Sequence, residues 1–69
     1  MSAETIDHAA LVHLVEAGAV RSARVVGQAG GWVLMVRHGT RETALAAQRS
    51  RRARVFKRIE TLVSYLRGV

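Results

Sequence analysis

The run Arg49-Ser50-Arg51-Arg52-Ala53-Arg54-Val55-Phe56-Lys57-Arg58 concentrates the charge of this chain, with six cations in ten residues and no acid between Glu42 and Glu60. Five of the six cations are Arg, whose planar fork matches the oxygens of a phosphate. The chemistry this pattern suits is recognition of a polyanion, nucleic acid before others. Arg49, Arg51, Arg52, Arg54, Lys57 and Arg58 are the expected nucleic-acid-binding residues. Val55 and Phe56 sit inside the run and should anchor it to a core. A solvated charged face would carry the same composition and is the competing explanation.

Other reactive residue types are scattered. His8 and His13 are five apart, so on a helix they diverge by roughly 140° and do not suit a shared metal. His38 could join one of them only through tertiary structure. The acids Glu4, Asp7, Glu16, Glu42 and Glu60 form no evident acid/base couple. Ser2, Ser22, Ser50 and Ser64 have no nucleophile-elbow motif around them. Gly27 to Gly31 holds neither a G-x-G-x-x-G nor a P-loop pattern and suits a hairpin turn. The expectation is a non-enzymatic protein without cofactor or metal. Trp32 could stack a base, but beside an apolar strand it fits a core or interface anchor better. Phe56 reads as core, and Tyr65 as a boundary residue with a wet hydroxyl.

The elements that must position these groups follow from length and periodicity. The 69 residues, 1–69, make one small domain. A chain this short buries about 60% of its unfolded surface and is marginally stable. There is no Cys, so disulfides and Cys-based zinc sites are excluded. Association is the remaining staple, and a homodimer is expected. No apolar run approaches the ~20 residues of a membrane span. The N-terminus lacks the basic and long apolar regions of a signal peptide. A cytoplasmic protein is expected. Eleven cations against five acids give a net charge of +6, which attracts anionic polymers at low salt.

Residues 5–17 read as a helix, with Ile6, Ala10, Leu14 and Ala17 on one face and Leu11 and Val15 widening it. Thr5 is the expected N-cap, Asp7 suits the first turn, and Gly18 suits a left-handed end. Val12 falls on the polar face and could mark a partner contact. Residues 20–28 and 32–38 read as a β-hairpin turning at Ala29-Gly30-Gly31. Trp32 to Val36 is apolar on both faces, which requires cover on both sides, a dimer mate being one candidate.

Residues 41–56 are ambiguous. Ala44 to Gln48 favours helix by propensity, and 42–67 could form one long basic helix. The alternative is a second hairpin, about 42–48 and 53–56, turning at Ser50-Arg51-Arg52. A helix over 57–67 would follow, with Val55, Ile59, Leu62 and Leu66 as its stripe and Phe56 and Val63 beside it. The hairpin is preferred. The expected fold is α+β: a small antiparallel sheet of three to four strands in two hairpins, with an N-terminal and a C-terminal helix.

Several stretches carry a resemblance. They are His8-Ala9-Ala10-Leu11-Val12 through Val15-Glu16-Ala17-Gly18, then Val25-Val26-Gly27-Gln28 with Gly30-Gly31-Trp32. Ala44-Leu45-Ala46-Ala47-Gln48-Arg49-Ser50 and Phe56-Lys57-Arg58-Ile59-Glu60-Thr61-Leu62-Val63 with Tyr65-Leu66 complete them. Across nearly its whole length the chain resembles the ParC-type partition-associated proteins of plasmids and integrative conjugative elements. These are fold-pattern residues, not a catalytic signature. The resemblance implies a strand ending near Phe56 and a helix over Glu60–Leu66, and so favours the second hairpin. It implies a role in maintaining a plasmid or mobile element beside Par-type partition proteins, and no enzyme activity. Family members continue with a short strand and a charged tail, whereas this chain stops at Val69.

Three functions compete. The first is a dimeric DNA-binding accessory factor of partition or of its operon's regulation. The second is a protein-interaction module using the Val12 face or a sheet edge, with a Par-type protein or its own copy as partner. The third is double-stranded RNA binding, suggested by helix–strands–helix in a basic chain. The Gly-Pro-x-His loop and Lys-Lys helix start of that RNA-binding fold are missing here.

Overall fold

Pairing partners, more than propensity, decide the elements of this chain. In a computed structural model, residues 4–47 and 52–69 are described. They form β1 (Thr5–Ile6), α1 (His8–Glu16), β2 (Val20–Gln28), β3 (Gly31–His38), β4 (Arg41–Leu45) and α2 (Ile59–Arg67). The expected α+β architecture, with a helix near each end and a four-stranded sheet, is what the chain adopts. Strand order is β1-β4-β3-β2. The pairs β2–β3 and β3–β4 are antiparallel, but β1 lies parallel to β4, so the sheet is mixed.

That parallel pair also corrects the start of α1. Thr5 and Ile6 are strand, not helix, because the ladder claims their neighbours' backbone. The Ala44 N–H donates to the Glu4 carbonyl at 2.9 Å and the Ala46 N–H to the Ile6 carbonyl at 2.8 Å. Asp7, not Thr5, is the N-cap: its backbone is extended (φ −84, ψ 172) and its Oδ1 accepts the Ala10 N–H at 2.7 Å. Gly18 takes the left-handed conformation expected after the helix, with φ 67.

The first hairpin forms as expected, with Gln28 opposite Gly31. Gly39, at φ 61, then lets the chain double back at once, so that His38 faces Arg41 and Met35 faces Ala44. Strand pairing with β3 thus overrides the helical propensity around Ala44, and a single helix over 42–67 does not form. The second hairpin is looser than expected. Residues 53–56 are no strand of their own and meet the sheet at two isolated bridges, Ala46 with Ala53 and Trp32 with Phe56. Of the expected turn, Ser50 and Arg51 lie outside the described residues.

Both helices cover one sheet face. Leu11 from α1 and Leu62 from α2 join Leu34, Val36, Leu45 and Phe56 in the core. Ile6, Val20, Trp32, Tyr65, Leu66 and Val69 pack around it. Full burial of each such leucine contributes about 1.5–3 kcal/mol. The α2 stripe is centred on Leu62, Tyr65 and Leu66, and not on Val55 and Val63, which stay exposed. Val55 lies ahead of the helix, so the 3.6-residue period does not reach it. The opposite sheet face carries Val26, Val33, Met35 and Ala44, with neither helix over it.

Candidate nucleic-acid interface

The leg from β4 to α2 is held by backbone. The Ala47 N–H donates to the Arg52 carbonyl and the Arg54 N–H to the Leu45 carbonyl, each at 2.7 Å. Trp32 and Phe56 then exchange a pair of N–H···O=C bonds, both 2.8 Å. Phe56 is buried in the core, so the cations on either side of it are fixed to the sheet.

Arg52, Arg54, Lys57 and Arg58 lie along this leg; Arg49 and Arg51 lie outside the described residues. The four are not equivalent. The Arg54 guanidinium lies 4.3 Å from the centroid of the Phe56 ring and 5.7 Å from that of Tyr65. It is half-buried there, attracted by the negative ring faces. Arg52, Lys57 and Arg58 are exposed. Arg58 is the N-cap residue of α2 in an extended conformation (φ −125, ψ 136), and its side chain makes no capping hydrogen bond. The first N–H groups of α2 therefore lack the usual cap acceptor. Lys57 and Arg58 form no ion pair among the described residues.

Two of the five acids are committed elsewhere, and Glu60, in the first turn of α2, pairs with neither cation. Glu42 takes a bidentate grip from Arg24, at 2.7 and 3.2 Å. That hydrogen bonding from Arg24 holds its carboxyl below the usual carboxylate range. Glu4 meets Arg41 at 3.3 Å. Two acids are thus engaged by strand cations, at a distance in sequence from the basic run. Neither pairing was legible beforehand, because register alone brings these residues together.

Beside Arg54 is a pocket of about 170 Å³ lined by His8, Leu45, Ala46, Arg54 and Tyr65, open to solvent on one side. The Tyr65 hydroxyl is 2.7 Å from His8 Nδ1. Burial raises the Tyr65 pKa, against a smaller opposing effect of the Arg54 charge. The hydroxyl therefore stays protonated at neutral pH. His8 and Tyr65 are 57 residues apart, and nothing in the sequence signalled their contact. Among the described residues no three His, Cys, Asp or Glu side chains converge as a metal site would require. His38 instead lies 3.2 Å from the Thr43 hydroxyl.

This arrangement can attract and position an anion through exposed cations beside an uncapped helix start. Compared with family models, curated proteins and solved structures, the chain finds no match in any of the three.

Proposed function

We propose that the chain is a non-enzymatic DNA-binding protein, an accessory factor in maintaining a plasmid or mobile element. The DNA contact is the segment Arg49–Arg58, with Arg49, Arg51, Arg52, Lys57 and Arg58 facing phosphates and Arg54 bracing the segment against Phe56. The observation that carries this is the exposure of Lys57 and Arg58, without acidic partners among the described residues, at the uncapped start of α2. Two cations there oppose the helix dipole. A phosphate would relieve both the dipole and the unmet N–H groups. The partition setting rests on the residue patterns shared with ParC-type proteins, as does a Par-type protein as partner. The working form is a cytoplasmic homodimer.

Fluorescence anisotropy of a labelled duplex, titrated between about 50 and 200 mM salt, tests the contact. Replacing Arg52, Lys57 and Arg58 with Ala should lower the slope of log K against log salt by roughly 2–3, about 0.9 per lost phosphate contact. An unchanged slope would remove this segment from the interface. A reading as a protein-interaction module draws on a different feature, the outer edge of β2.

A further inference from the structure

We propose that β2 is the seam of the dimer, pairing antiparallel with β2 of a second copy about a two-fold axis at Val25. This rests on the homodimer just proposed and names its surface.

Among the described residues, one side of the β2 backbone meets no other strand. Trp32 spends its N–H and C=O on Phe56, so its partner Gly27 cannot be bonded to it. Antiparallel pairs alternate between bonded and non-bonded, so Ala23, Val25 and Gly27 direct their N–H and C=O groups away from β3. The other side of β3 gives the same phase. Ala44 donates to Glu4, so its partner Met35 turns toward β2 and bonds with Arg24. Three donors and three acceptors of β2 are thereby directed outward along a sheet edge. Such an edge is a template for another strand.

The edge has a natural centre. A bulge between Val20 and Ser22 breaks its register, leaving Ser22–Gln28 as the regular stretch. Val25 is the middle residue of that stretch, and it is 38% exposed despite facing the helix side of the sheet. With the axis at Val25, Val25 faces Val25 of the second copy and Ala23 faces Gly27 of the second copy. The Trp32 ring lies against Gly27, so close that a Cβ there would be 3.1 Å from Cζ3. The methyl of Ala23 from the second copy would meet that ring. Arg24 falls opposite Val26, not opposite another Arg. Its diagonal approach to Arg24 of the second copy is softened because each is held by its own Glu42. The residues of this edge are self-complementary in size, and no two cations of the regular stretch fall directly opposite one another, as an isologous interface requires.

Sedimentation velocity over micromolar to millimolar concentrations tests the seam on the full chain. The wild type should be a reversible dimer. Val25→Pro removes one outward N–H without removing a β3 bond, and Val25→Lys sets two cations on the axis. Each should weaken the dimer at least tenfold while circular dichroism stays native. If Val25→Pro fails to fold, Val25→Lys decides. A monomeric wild type, or a folded Val25→Lys variant that dimerises as the wild type does, would overturn the proposal. The salt slope of duplex binding is read separately: loss of the seam with an intact slope leaves the DNA reading standing, and the reverse result leaves the seam.

Discussion

Gly31 passes so close to Phe56 that a Cβ on residue 31 would overlap the Phe56 carbonyl oxygen. The contact lies beside the paired hydrogen bonds of Trp32 and Phe56, and it is backbone on backbone, so no rotamer change relieves it. The positive φ of 150 adds to the demand for glycine.

Gly31→Ala should therefore destabilise the fold by about 2 kcal/mol or more, through both clash and backbone strain. Gly30 provides the contrast. It has φ 90 but open space around its Cβ position, so Gly30→Ala should cost only about 1 kcal/mol. Urea unfolding of the two variants checks the difference, and equal costs would mean that the Phe56 leg yields easily.

Tyr65 gives a pH dependence of defined sign. Burial raises its pKa in the folded state, so the stability it contributes is complete below the ordinary tyrosine range. It is lost as pH rises through the raised value. Tyr65→Phe should remove this alkaline loss, and at neutral pH should cost about 0.5–1 kcal/mol for the bond to His8. Tyr65 is the chain's one tyrosine, so ultraviolet titration of the phenol reports it alone. A midpoint at or below that of the unfolded chain would contradict the burial.

Asp7 carries the start of α1 through its bond to the Ala10 N–H. Asp7→Ala should lower stability by about 1 kcal/mol, and Asp7→Asn by less, since an amide oxygen can also cap. Thermal unfolding compares the two. Equal losses would indicate that charge at the helix start outweighs the hydrogen bond.

Local chemistry made some elements readable in the sequence. The glycines at 30 and 31 marked the first hairpin, and the spacing of Ile59, Leu62 and Leu66 marked the last helix, although Val55 and Val63 do not belong to its stripe. What escaped was set by partners distant in the chain. Thr5 and Ile6 looked helical until the edge of β4 was available to them. Ala44 favoured helix until β3 bonded its neighbours. At the candidate interface the cations of the run could be named from type alone. The ring stack of Arg54, which sets it apart from Lys57 and Arg58, is chiefly on Phe56, whose ring is held in place by burial, and Tyr65 of α2 adds a second, more distant ring.

The span of these contacts also orders assembly in time. The β2–β3–β4 meander closes through two tight turns, whereas Thr5 pairs with Ala44 and His8 meets Tyr65 only after long loops are closed. Loop-closure entropy therefore favours a bare meander first, with the Leu34 and Val36 face still in water. Such a species is prone to sticking to its own kind. A charge of +6 on every copy supplies the mutual repulsion that keeps half-folded chains apart until Phe56 and α2 close over that face.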